Sequence, residues 1–347
     1  MVKKTVIFIA ICTAFSFTGC NMRKNIDISI SSNEETPSEI ASYRLKTDRI
    51  SEEETDEILS FCLDVKKEEL SQYMDVERST SGEESFSRLY EKDDEMASYL
   101  YSNRMGILAY TDDTDGRANA YELVMSVEFD GNYYDDELMR KRYPLEDIEG
   151  CSKSEALDAC RPYAELLGYN DSEANVYAVT YEFLEEKAER YSDWGIYYGA
   201  PHKDYEEDSG GEKWSKDDEA ITVVYTQKID GVSLKGGFVG LRLIYVPKYE
   251  KVVFASGNQS YEIEEVLDKA KITGREQAVQ EVILDCGLTS QDDIRIDGVT
   301  LCYRFDLRSM ETVPCWNVLY SLKDDMGEFQ KISSIKSINA IDGMVAD

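Results

Sequence analysis

Apolar residues recur along this chain in two rhythms. Leu59, Cys62, Leu63, Leu70 and Tyr73 come close to helical spacing, with Ser51 and Glu54 placed as a capping box ahead of them. The spacing predicts one amphipathic helix. After an acidic stretch, runs at 105–110 and 121–129 read as the two strands of a hairpin.

The next pattern occurs twice. Ser152 with Glu155 and Thr273 with Glu276 both have capping-box spacing, and each opens an apolar-periodic helix that stops at a glycine. The first helix runs through Ala156, Cys160, Tyr163 and Leu167 to Gly168, with a kink expected at Pro162; the second runs through Val279, Val282, Ile283 and Cys286 to Gly287. Strands follow at 176–179 and 294–307. The caps are 121 residues apart and the glycines 119, which suggests a duplicated helix-then-sheet unit. Between the copies, strands are expected at 221–229, 238–246 and 251–256, with Asp230-Gly231 as a hairpin turn. A connecting helix carrying Ile263, Val266, Leu267 and Ala270 completes the series.

The last two strands can be aligned residue by residue. Val299, Leu301, Tyr303 and Phe305 share one face, as do Trp316, Val318 and Tyr320. Pairs whose numbers sum to 617 set Leu301 against Trp316 and Val299 against Val318, so the apolar faces coincide. The same register sets Cys302 opposite Cys315, compatible either with a cross-strand disulfide or with two reduced neighbours. The expected fold class is therefore α+β: mostly antiparallel, curved sheets, each packed by one or two helices.

Before this body lies a short apolar run, 5–19, preceded by Lys3 and Lys4 and closed by Phe17, Thr18, Gly19 and Cys20. At 15 residues it falls short of the roughly 20 needed to cross a bilayer. A basic start, apolar middle and small-residue end form the layout of an export signal. Phe17 to Cys20 resemble the lipobox of bacterial lipoproteins, with Phe17 where Leu is usual. The resemblance implies cleavage before Cys20, diacylation of its thiol and residence on the outer face of the cell membrane. The expected organisation is a signal peptide over 1–19, a polar tether over 20–42, an N-terminal α+β domain over 43–150, a middle unit over 151–270 and a C-terminal unit over 271–347.

Charge then excludes one partner class. The net charge of −32 becomes −34 once Lys3 and Lys4 are removed, and no basic stripe is present to bind phosphates. Nucleic acid is not an expected partner. Six cysteines follow Cys20 without a CxxC pair, and His202 is the single histidine, so no metal or other cofactor is expected. No GxSxG or phosphate-binding glycine loop is present, and no catalytic residues are assigned. Residues 111–122 place Asp113, Asp115, Gly116 and Glu122 at calcium-loop spacing, but Thr111 occupies the first ligand position and strand-like flanks favour an acidic turn. Between residues 192 and 219, Trp194, Tyr197, Tyr198 and Trp214 offer flat aromatic surfaces that could hold a sugar or peptide; packing of the loop explains the same residues.

The stretch from Val313-Pro314-Cys315-Trp316 through Ile338-Asn339-Ala340-Ile341-Asp342-Gly343 is similar to the closing strands of PepSY-like domains. More broadly, Gln227 to Gly231, the following strands, the connecting helix and the Thr273 helix resemble the YycH/YycI-type extracytoplasmic regulators of a sensor histidine kinase, a resemblance that spans about residues 152–345. That resemblance implies a tethered, sheet-rich, non-enzymatic module that binds or restrains another envelope protein. Here a lipid on Cys20 would replace those regulators' transmembrane helix. A carbohydrate or peptide binder using the aromatic loop is the alternative expectation.

Overall fold

The computed structural model describes residues 36–47, 57, 60, 66–78, 85–92, 95–102, 107–112, 121, 147–169, 173–185, 214–236, 239–288, 293–324, 327–329 and 334–346. Their elements are β1 (Glu39–Lys46), α1 (Lys67–Tyr73), β2 (Met74–Arg78), β3 (Ser85–Lys92), β4 (Glu95–Ser102), β5 (Ile107–Asp112), α2 (Lys153–Leu166), β6 (Glu173–Val179), β7 (Ala220–Thr226), β8 (Lys228–Ile229), β9 (Val232–Lys235), β10 (Leu241–Val246), β11 (Lys251–Asn258), β12 (Glu262–Lys271), α3 (Arg275–Asp285), β13 (Ile294–Asp306), β14 (Glu311–Leu322) and β15 (Ser334–Asn339). Strands dominate, in curled sheets, and the class is α+β.

One sheet has the order β2-β3-β4-β5-β11-β10-β7-β6, and every neighbouring pair is antiparallel. The other has the order β12-β1-β14-β13-β9-β8, with β15 also paired to β14; β9 runs parallel to β13. Neither sheet is a contiguous stretch of chain. β1 and the β8-β9 hairpin belong with the C-terminal strands, while β2 to β5 extend the sheet of the middle unit. The divisions expected at 42/43 and 270/271 therefore cut through β1 and β12, and residues 39–42, expected in the tether, are strand.

The first sheet is buried on both faces at its centre. Along β7, Ile221, Val223 and Tyr225 point into a core under α2 with Ala156, Cys160, Tyr163, Leu241 and Leu243. Ala220 and Val224 point the other way, towards Tyr177, Ile244, Phe254 and Trp214. This is why the segment reads as a continuous apolar run instead of an alternating one. Ser152 caps α2 as its sequence announces: its Oγ accepts from the Glu155 N–H at 3.3 Å, and the Glu155 carboxylate accepts from the Ser152 N–H at 2.7 Å. The hydrogen bonds that the Glu155 carboxylate accepts from the Ser152 N–H and from Ser152 Oγ favour its charged form and lower its pKa.

The second sheet packs α3 against one end of β13 and β14. Val279, Val282, Val299, Trp316, Val318 and Ile338 form that core. The apolar face of β13 continues into a second cluster, where Tyr303 and Phe305 join Ile40, Tyr43, Leu45, Leu234 and Tyr261. The β13/β14 register pairs Leu301 with Trp316, Val299 with Val318 and Cys302 with Cys315, as the coincidence of apolar faces requires.

Several expectations are corrected. Thr273 does not cap α3; Gly274 is the N-cap, and the Thr273 hydroxyl donates instead to the Ala340 carbonyl at 3.1 Å, so a tertiary contact outcompetes the local one. Of the hairpin expected from the runs 105–110 and 121–129, the first run supplies β5, which pairs with β4 and β11 instead; Tyr121 is helical, and 122–129 lie outside the described residues. β2 to β4 were not anticipated, because charged residues interrupt their apolar positions.

The helix expected around Ile263, Val266, Leu267 and Ala270 is strand β12. Its pairing with β1 slips between Ser42 and Tyr43 and again between Arg44 and Leu45, leaving Leu267 and Glu264 as extra residues. Each bulge adds one residue to the strand period. Ile263 and Val266 therefore share a face at a separation of three, which imitates a helix.

Close backbone packing makes one glycine critical. A Cβ on Gly257 of β11 would lie 2.1 Å from the Gly240 carbonyl oxygen. Gly257→Ala is expected to destabilise the protein by about 1–3 kcal/mol, as overpacked sites do, read as a lower urea midpoint at unchanged slope.

Candidate functional site

The chain passes from the first sheet to the second at Gln227, between β7 and β8, and again at residues 259–261, between β11 and β12. A strand leaving its ladder carries backbone groups that need new partners. Gln227 supplies them: its side-chain Oε1 accepts from the Tyr261 N–H at 2.8 Å, and its Nε2 donates to the Tyr261 carbonyl in a short contact. The Gln227 carbonyl accepts from Leu234 N–H at 2.8 Å, closing the hairpin beyond it.

The end of α2 joins the same point. Ser260 N–H donates to the Leu167 carbonyl at 3.0 Å, and Tyr169 Oη donates to the Asn258 carbonyl at 2.9 Å. Asn258 Nδ2 in turn donates to Tyr261 Oη. Gly168, at φ +83°, ends the helix where a Cβ would lie 2.3 Å from Ser260 Oγ. The Tyr261 ring lies 4.6 Å from that of Phe305, inside the second sheet's core. Burial pushes the Tyr261 phenol up to about 12 and raises that of Tyr169 as well, so both remain neutral hydrogen-bonding groups at physiological pH.

A second tie holds β1. Asp230 and Gly231 both have positive φ, 51° and 78°, as a tight hairpin turn between Ile229 and Val232 requires. The Asp230 carboxylate accepts a short hydrogen bond from Tyr43 Oη, and Tyr43 packs edge-on to Tyr303 with centroids 5.5 Å apart. Tyr43 N–H donates to Thr312 Oγ1 at 2.9 Å, and Leu45 N–H to the Met310 carbonyl at 2.8 Å. Outside, Arg44 bridges Glu265 at 2.6 Å and Glu311 at 2.8 Å, joining three strands at the surface.

Of the residues singled out from sequence, the structure brings Cys302 and Cys315 together as a cross-strand pair. Phe17, Thr18, Gly19, Cys20, Trp194, Tyr197, Tyr198 and His202 lie outside the described residues. Trp214 is packed inward, its ring 5.1 Å from that of Tyr121 and 8 % exposed, so it offers no face to a ligand. Nearby Asp218, also buried, caps its own turn through Ser215, while Tyr121 Oη donates to the Asp218 carbonyl. Of the acidic loop, Thr111 and Asp112 belong to β5, and 113–120 are outside the described residues. Among the described residues, no three His, Cys, Asp or Glu side chains are grouped to hold a metal.

Cys302 and Cys315 are both buried free thiols, 2 % and 0 % exposed. Burial pushes each up to about 12. Cys151, just before α2, and Cys160, on its inner face, are likewise free and buried in the first sheet's core.

Sequence reasoning missed Gln227, Asn258 and Tyr261. Their trace in the sequence is slight: side-chain amides at the ends of two apolar strands, where a polar residue is ordinarily read as the start of a loop.

No protein-family model matches this chain, and no curated protein matches it in sequence. Among solved structures, the chain is similar to an uncharacterized protein from Eubacterium rectale, at a TM-score of 0.58 and 14 % identity over 90 % of this chain and 87 % of that one. That likeness concerns the fold alone.

The tie between the crossings has a measurable weight. Gln227→Ala leaves the Tyr261 N–H and carbonyl without the side-chain amide and is expected to cost about 1–3 kcal/mol in urea unfolding. Gln227→Glu keeps the acceptor but turns a carboxylate oxygen towards the Tyr261 carbonyl, and is expected to cost at least as much as Gln227→Ala.

Proposed function

We propose that this protein is a non-enzymatic, lipid-anchored module on the outer face of the cell membrane that binds or restrains another envelope protein. The observation that carries the reading is the short apolar run closed by Cys20, followed closely by a body whose first strand starts at Glu39. Two acyl chains on Cys20 would hold the membrane stably where one is marginal. Residues 21–38 reach at most about 60 Å when fully extended, so the body would stay close to the bilayer. Strong negative charge makes the lipid, not attraction to anionic headgroups, the means of retention. Among the described residues no helix is long and apolar enough to cross a membrane.

The two helix-then-sheet units support a duplicated, PepSY-like design. α2 is followed by the antiparallel series β6-β7-β10, and α3 by β13-β14-β15. The β8-β9 hairpin is then an insertion in the first copy. The reading as an interaction module also rests on the sequence, which has one histidine and no motif that positions a nucleophile beside a base.

Cys20→Ala is expected to move the protein from the membrane pellet to the soluble fraction of lysed cells. Retention of the variant in the pellet would sink the anchor. Crosslinking in intact cells is expected to recover one envelope protein in stoichiometric amount with the parent chain and far less with Cys20→Ala; equal yields from both would separate the interaction from the anchor.

A further inference from the structure

We propose that Cys302 and Cys315 form a reversible cross-strand disulfide that staples β13 to β14. Pro314 fixes the backbone geometry beside them. It has no N–H, and its carbonyl accepts from the Ala340 N–H at 2.8 Å, on the side away from β13. Alternate residues of a strand turn their backbone groups to opposite neighbours, so Cys315 directs its N–H and carbonyl towards β13 and its partner Cys302. Such hydrogen-bonded antiparallel pairs have a Cα separation of about 5.5 Å. That distance lies inside the range of about 4.4–6.8 Å that a disulfide spans.

The same geometry makes the bond labile. Side chains of a hydrogen-bonded pair lie farther apart than those of the alternate pair, so closing the bridge draws the strands together and strains it. Strained disulfides have more oxidising potentials and are the readily reduced ones. Formation needs an external disulfide. One cysteine thiolate attacks it, releasing a first thiol and leaving a mixed disulfide; the second attacks the mixed disulfide and releases the second thiol. The two protons leave with the two product thiols, and the external disulfide is reduced as the pair is oxidised.

Burial raises both thiols, so exchange proceeds on strand opening and not on the closed surface. Lys235 and Arg304 act against that shift at Cys302 and Arg304 does so at Cys315, favouring the thiolate there. The bridge would lie next to Pro314, which holds Ala340, and Ala340 accepts from Thr273 at the start of α3. The redox state is thereby linked to the seating of that helix.

The test uses the full chain, refolded in glutathione buffers of graded reduced-to-oxidised ratio, quenched in acid, alkylated while denatured, and mapped by mass spectrometry. A peptide joining Cys302 to Cys315 is expected at oxidising ratios and lost progressively across the series. The melting temperature is expected to be higher in the oxidised form, a shift absent from Cys302→Ala. Full alkylation of both thiols at every ratio overturns the bridge; a bridge undiminished at the most reducing ratio overturns its reversibility. The map of the parent protein decides both points even where the variant fails to fold.

Discussion

The Gln227 side chain and the Tyr261 backbone form the contact on which the arrangement of the two sheets depends. The chain visits the second sheet at β1, β8-β9 and β12 onwards, with strands of the first sheet between. Each passage leaves backbone donors and acceptors without a ladder. Glutamine suits such a place because a neutral side-chain amide offers a donor and an acceptor together, and so answers the N–H and carbonyl of one residue. A carboxylate or a hydroxyl cannot satisfy both in the same way. Tyr261 then sends its ring into the second core, and Asn258 and Tyr169 connect its hydroxyl to the end of α2.

Interleaving of this kind places apolar demand on strands from both sides. β7 and β10 are buried on two faces because α2 covers one, and Trp214, Tyr121 and Leu184 cover the other. β13 meets the same demand along its length: its near end packs under α3 and its far end against β1 and the β8-β9 hairpin. β1 is thereby a core strand, held by Tyr43 and Leu45, although it follows directly on a polar stretch. A tether entering at β1 would connect an anchor to the part of the body that the C-terminal strands also build.

Legibility varied with how local each signal was. The cap of α2, the Asp230-Gly231 turn and the β13/β14 register were readable because neighbours in sequence, or one pair of strands, settle them. Thr273 misled, since its capping oxygen is spent on Ala340, 67 residues away. β12 misled for a subtler reason: two bulges turn a strand period of two into a spacing of three between Ile263 and Val266. The sequence left Trp214 open as a ligand platform or a packing residue; its burial depends on Tyr121, far away in sequence.

The sequence by itself determined the α+β class, the helices at 153–166 and 275–285 to within a residue or two, and the pairing of Cys302 with Cys315. These follow from periodicity, caps and the matching of apolar faces, all of which act over short separations. Only the tertiary structure decided that β1 lies between β12 and β14 in the C-terminal sheet, that β8-β9 leaves its neighbours to join that sheet, and that Gln227 meets Tyr261. Each of these is a contact between segments that nothing local requires to meet, fixed only once burial of the shared cores leaves particular backbone groups in need of a partner.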